Sequence, residues 1–159
     1  MIARLTITAM ATMLLAACAG ELSGEKPATA IADPMGAAAL SELPTQVLAQ
    51  GQCALVLWSR SSTPLRFVVT LDRPAVARVS MKGRLVELAR VSQTGQSIHG
   101  QFPEQRYRGE GVSLEISFMP EDARPLAGGA VVSSAVVEFD DPAGWTSVIP
   151  AIGLIACQS

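Results

Sequence analysis

From residue 52 onward the chain is cut into short apolar runs by turn signals, and that rhythm limits it to a small set of folds. The clearest run is residues 112–118, where Val112, Leu114, Ile116 and Phe118 alternate with Ser113, Glu115 and Ser117. A strict period of two describes an antiparallel strand with one buried face, because successive side chains leave a strand on opposite sides. Residues 53–58 form a continuous apolar run, as expected of a strand covered on both faces. Further strands are expected at 66–71, 75–81, 84–91, 97–102, 130–140 and 145–157, the last interrupted by Pro150 and Gly153. Lys82-Gly83 reads as a hairpin turn, with the glycine supplying positive φ. Residues 61–64, 72–74, 92–95 and 141–144 read as turns, and 120–129 as a polar loop ending in Gly128-Gly129. No helical period alternates with the strands, which excludes a parallel α/β sheet. The expectation is an all-β domain over residues 51–159, with about eight short antiparallel strands in a small barrel or sandwich.

The first eighteen residues follow a different grammar. A single cation, Arg4, precedes an apolar run from Leu5 to Leu15, softened by Thr6, Thr8 and Thr12. As a helix that run spans roughly 16 Å, about half of the ~30 Å hydrocarbon core of a bilayer. It is too short to span a membrane and suits a secretory signal. It ends in Leu15-Ala16-Ala17-Cys18. This tetrad resembles the lipobox of bacterial lipoproteins, in which small residues precede an obligatory cysteine. The resemblance implies that residues 1–17 are a signal peptide, that Cys18 carries a diacylglyceryl group on its sulfur, and that cleavage falls before Cys18. With Ala19 rather than an aspartate next, known sorting rules imply the periplasmic face of the outer membrane. Two or three acyl chains would then hold the protein stably to the membrane.

Residues 18–50 read as a lipidated tether. Gly20, Ser23, Gly24 and Pro27 among alanines show no apolar period. Asp33-Pro34 has the form of a helix cap followed by proline at the first helical position. Residues 36–43, stopped by Pro44, and 46–50 each have room for about one helical turn.

With Cys18 assigned to lipid, Cys53 and Cys157 remain at the two ends of the β region. In an oxidising compartment such a pair is expected to bridge. Charge offers no other message. Charged residues make up 16% and the net charge is −2, so the basic surface that nucleic acid needs is absent. Loss of Arg4 with the signal peptide makes the chain one unit more acidic. Chemistry has few parts to work with. His99 is the single histidine, and no G-x-S-x-G elbow accompanies it. A zinc site needs three or four nitrogen or sulfur ligands, so neither a metal nor any other cofactor is expected. Glu104, Glu110 and Glu115 could meet across a hairpin, but their spacing fixes no glycosidase geometry. Gly109-x-Gly111 and Gly128-Gly129 precede strands rather than helices, so they read as turns and not as phosphate cradles.

The words from Cys53 to Trp58, Gly100-Gln101-Phe102, residues 126–129, Gly144-Trp145, and Gly153-Leu154 leading to Cys157 resemble small envelope lipoproteins of alphaproteobacteria, a family of unknown function. That family offers no activity to carry over; with so few residues available for chemistry, the expectation is a non-enzymatic β domain, held at the membrane through Cys18, that binds or supports another envelope protein. The chain also resembles membrane-bound inhibitors of c-type lysozyme, which are lipoproteins with an antiparallel barrel and a disulfide. In those proteins a serine-glycine loop and a lysine-bearing loop enter the lysozyme cleft. Thr94-Gly95 and Arg108-Gly109 would stand in those places here, with Arg106, Tyr107, Arg108 and Gly109 forming the second recognition loop. Arginine at a site built for lysine departs from the pattern. The inhibitor reading requires two loops, at 92–97 and 106–111, at the same end of a barrel.

Replacing the nucleophilic sulfur should abolish attachment. Cys18→Ser is expected to lose incorporation of a fatty-acid analogue and to leave the membrane fraction or persist as the uncleaved precursor. Full processing with unchanged membrane pelleting would contradict the lipobox assignment.

Overall fold

The computed structural model describes residues 40–159, apart from the side chains of 121–125. The signal peptide, Cys18 and most of the tether lie outside that range. Nine strands account for the regular structure, and no helix occurs among the described residues. They are β1 (Leu40–Ser41), β2 (Cys53–Ser59), β3 (Arg66–Leu71), β4 (Val76–Met81), β5 (Arg84–Thr94), β6 (Glu104–Gly109), β7 (Val112–Leu126), β8 (Gly129–Asp140) and β9 (Thr146–Cys157). From β2 to β9 each strand pairs antiparallel with the next, and β9 returns to pair with β2. The result is an eight-stranded, up-and-down closed barrel with β1 as an extra strand.

Alternation decides what fills it. Leu55 and Leu57 of β2, Val79 of β4, Val86 and Leu88 of β5, Leu114 and Ile116 of β7, and Val137 and Phe139 of β8 all belong to one buried cluster. They sit at every second position of their strands, so one face of each strand lines the interior. Eight strands enclose a space just wide enough for side chains to fill.

The strands run alternately between two ends. One end, which we call the clasp end, holds Cys53, the β3–β4 turn, residues 95–103, the β7–β8 turn and Cys157. The other, the entry end, holds residues 60–65 and the turns at 82–83, 110–111 and 141–145. β1 lies at the entry end. Leu40 and Ser41 pair with Met81 and Ser80, beyond the last β3–β4 pair at Val68 and Val79. The short strand therefore extends the wall where β3 stops. The Arg66 guanidinium clamps it by donating to the Leu43 carbonyl, while Leu43 N donates to Arg66 O at 2.7 Å. Leu43 is fully buried, and Leu48 packs on an outer cluster of Ala54, Val69 and Leu71.

Three expectations change here. The described part of 36–43 is strand rather than helix, and 46–50 contains no helix. These residues lie against the wall of β2–β4, whose backbone and apolar outer face supply partners that a lone helical turn would lack. Residues 97–102 form an isolated bridge, Ile98 with Gln101, instead of a strand; the eighth barrel strand is β6. Residues 120–126 continue β7, so the polar loop shrinks to the turn at 127–128. Pro120 and Pro125 sit at the register shifts of the β7–β8 pair, where the ladder is already interrupted and a missing donor is tolerated.

The bridge expected between Cys53 and Cys157 is present, linking residues 104 apart. It joins directly opposed residues of β2 and β9, so it fastens the barrel's closing seam. Gln158 N donates to Gln52 O, and Gly51 N to Gln158 O, just outside it. A constraint on a loop of this length is expected to stabilise by about 2–4 kcal/mol. Cys53→Ala/Cys157→Ala should remain a folded β protein by circular dichroism and lose about that much in urea unfolding. A loss below ~0.5 kcal/mol would show that the seam holds without the bridge.

Candidate functional site

The clasp end is closed by residues 95–103. After β5 the chain crosses the barrel mouth, buries Gln101 completely, packs Ile98 on the core, and returns to β6. His99 and Gly100 both have positive φ, +49° and +76°, which turns the chain back inside the mouth. Gly100 lies against Asp72, and a Cβ there would come within 2.7 Å of the Asp72 Cβ. Only glycine meets both requirements. Asp72 itself accepts from Cys53 N at 2.8 Å, so lid, β3–β4 turn and disulfide form one assembly.

Beneath the lid the interior turns polar. Thr70 Oγ1 donates to Gln101 Oε1 at 2.6 Å, and Tyr107 OH donates to Gln105 Oε1 at 2.7 Å. Arg90 Nη1 reaches Gln105 Oε1 at 3.2 Å and the Gly100 carbonyl at 3.3 Å, with its guanidinium 5.2 Å from the Phe102 ring centroid. Gln101 Nε2 is buried without a hydrogen-bond partner, and an orphaned donor costs stability. Burial pushes the Tyr107 phenol above its usual pKa, against smaller opposing contributions from the Thr70 hydrogen bond and the Arg90 charge. The network ties lid to wall: Gln101 belongs to the lid, Thr70 to β3, Arg90 to β5, and Gln105 and Tyr107 to β6.

The recognition candidates do not come together. Thr94 is the last residue of β5 and Gly95 follows at φ +95°, both at the clasp end. Arg106, Tyr107, Arg108 and Gly109 lie within β6 rather than in a loop, because each pairs with β7 in unbroken register. Tyr107 is entirely buried in the core. Arg108 pairs with Ala89, five residues before Thr94 on β5, which separates the two motifs by about 17 Å along the wall. The carboxylates are also dispersed. Glu110 binds Arg84 at 2.6 Å at the entry end, Glu115 binds Arg106, and Glu104 starts β6 at the clasp end. Asp140 accepts from Thr146 Oγ1, and the buried Asp141 holds the turn that follows.

Cys53, Cys157 and His99 gather with their ligand atoms within 4.8 Å of one another. Both sulfurs are bonded to each other, so this cluster offers a single imidazole and does not constitute a metal centre in its oxidised form. Sequence reasoning had no reason to bring His99 to the bridge, since 97–102 read as a strand. Gly95, Gly100 and Pro103 within nine residues were the available signal for a loop.

The outer wall has two characters. Across β4–β7 it carries exposed or half-exposed ion pairs, Arg78 with Glu87 at 2.7 Å and Arg106 with Glu115. Such pairs contribute little to stability. Across β7–β9 its exposed positions are more apolar: Met119 is 69% exposed and Val148 61%, with Val136 at 39% and Ile152 at 38%, set among Ser117, Ser134 and Glu138. Val136 lies opposite Pro150, and Ile152 opposite Trp58 of β2, so the apolar positions adjoin across three strands. A groove of about 310 Å³ runs beside them between Pro103, Glu104, Met119 and Val136.

No family model, no curated protein and no solved structure matches the chain. Its functional reading therefore rests on its own residues.

The buried phenol gives a direct measurement. An unfolded tyrosine ionises near pH ~10, while Tyr107 in the barrel holds its proton to higher pH. The unfolded state thus loses its proton first, so this contribution to stability is intact below about pH 10 and declines as pH rises above it. Tyr107 is the sole tyrosine. Tyrosinate absorbance in mildly alkaline buffer should therefore be absent from the folded protein and appear with unfolding. Reversible ionisation at the ordinary pKa without loss of structure would contradict the closed lid.

Proposed function

We propose that this chain is a lipid-anchored, non-enzymatic protein of the outer membrane whose barrel binds another envelope protein through the apolar wall of β7–β9. The observation that carries the reading is the Leu15-Ala16-Ala17-Cys18 tetrad ahead of a disulfide-fastened barrel. The first implies lipid attachment, and the second suits an oxidising compartment. The wall supports the binding role: exposed apolar side chains that adjoin across strands are characteristic of an interaction surface, and Met119, Val136, Val148 and Ile152 lie on β7–β9, whereas Leu85 and Val91 stand apart on β5. The ion-paired wall of β4–β7 provides the contrast.

The lysozyme-inhibitor reading shares the barrel and the bridge. It needs both motifs at one end, and the ~17 Å between Thr94 and Arg108 along β5 and β6 weighs against it. The burial of Tyr107 removes the centre of the second motif from reach.

A photo-crosslinking amino acid placed at Val148 should give a discrete adduct with one envelope protein in intact cells. The same group at Arg106 should give none. Equal labelling from both walls, or none from Val148, would remove the binding surface. The purified domain should leave c-type lysozyme fully active in a turbidity assay at micromolar concentration. Stoichiometric inhibition that disappears in Thr94→Ala or Arg108→Ala would establish the inhibitor reading instead.

A further inference from the structure

The turn between β8 and β9 holds an indole in water. Asp141 Oδ1 accepts from Ala143 N and Trp145 N, each at 2.9 Å, and Asp141 N donates to the Trp145 carbonyl at 2.9 Å. Gly144 N closes the turn by donating to Asp141 O at 3.0 Å, and φ of +87° at Gly144 allows the path. Trp145 is nevertheless 54% exposed. A rigid turn that presents a large amphipathic ring loses little conformational freedom when the ring is covered.

Two further observations say what covers it. The turn lies at the entry end, where Leu40 pairs with Met81, so the chain that leads back to Cys18 leaves from the same end as Trp145. The twenty-two residue steps from there to Cys18 reach at most about 75 Å, and they start from this end. The same end also carries Arg60, Lys82 and Arg108, all exposed and without an ion-pair partner among the described residues. Of the nearby carboxylates, Glu110 is paired with Arg84, Asp140 accepts from the Thr146 hydroxyl and keeps its charge, and Glu42 beside β1 is exposed. The clasp end shows no exposed Phe, Tyr or Trp among the described residues.

We infer that the entry end rests on the phospholipid surface, with Trp145 as an interfacial anchor and Arg60, Lys82 and Arg108 facing lipid phosphates. This rests on the lipid-anchor reading and adds an orientation to it. Tryptophan suits the boundary because its ring is apolar while its N–H still finds a polar partner. Cations near an anionic surface add a salt-sensitive attraction. The β7–β9 wall then stands upright from the membrane, open to a partner alongside, and the lidded clasp end points away.

The test uses the full lipidated protein in vesicles of phosphatidylethanolamine and phosphatidylglycerol. Trp58→Phe leaves Trp145 as the only emitter, since the chain has two tryptophans. Emission should shift to the blue and fall at least twofold when the lipids are brominated near the head of the acyl chain. Lys82→Glu combined with Arg60→Glu should weaken that quenching while the protein still floats with the vesicles. If Trp58→Phe disturbs the barrel, the difference between the wild type and Trp145→Phe gives the same signal. A protein that carries acyl chains and floats, yet shows Trp145 unaffected by bromine and open to acrylamide, overturns the inference and leaves the anchor reading intact. Shielding from acrylamide without bromine quenching assigns the indole to a second copy of the chain and also overturns it. Absence of acyl mass and of flotation removes the anchor reading, and the inference falls with it.

Discussion

The structure depends on one seam, where β9 returns to pair with β2. A meander of eight strands without that seam is an open sheet with two unpaired edges, each a template for pairing with another chain. With Cys53 opposite Cys157 and Ser59 opposite Ala151, seven consecutive residues of β2 find partners, and the barrel has no edge except the short β1. All other barrel pairings join neighbours in sequence, so this is the one that orders the whole chain at once. The disulfide holds it at the end where hydrogen bonds would otherwise fray.

Closure also explains how a polar cluster survives in the interior. Thr70, Gln101, Gln105 and Tyr107 are buried because the lid crosses the mouth above them, and low dielectric strengthens each hydrogen bond while penalising any that is missing. The lid is held to two sides at once: Arg90 reaches the Gly100 carbonyl from β5, and Gly100 packs on Asp72 beside β3. The clasp end is thus a rigid stopper, and recognition falls to the outer wall and the entry end.

Much of this was legible in the residues. β3 matches residues 66–71 to the residue, and the alternation of 112–118 fixed which face of β7 is inside. β6 was missed for a physical reason. Its inward residues are Gln105, Tyr107 and Gly109, which serve the polar cluster, so the strand shows no apolar alternation. Its arginines, with Tyr107 between them, read as a basic-aromatic cluster that suited a solvated strand edge as well as a recognition loop, and the strand is what forms. The extension of β7 was hidden by two prolines and several charges, and the prolines are tolerated because this part pairs only with β8 and the ladder is irregular there. The Thr94 and Arg108 motifs looked close because they are fourteen residues apart in sequence. A strand between them carries the chain from one end of the barrel to the other. The wall of β7–β9 was written as apolar strands, but which of its residues remain in water depends on closure and has no local signature.

The seam has a consequence for how the molecule comes into being. β9 is the last of the nine strands in chain order, ending at Cys157. Hairpins from β2 to β8 join sequence neighbours and form without waiting, because local contacts close short loops. The ring has no counterpart to β2 until β9 emerges. A nascent or truncated chain is therefore an unfinished sheet whose first strand is an unpaired apolar edge, 53–58, exposed for as long as translation or transport of the remainder takes. For a barrel of this design, arrival of the last strand and protection of the first are the same event.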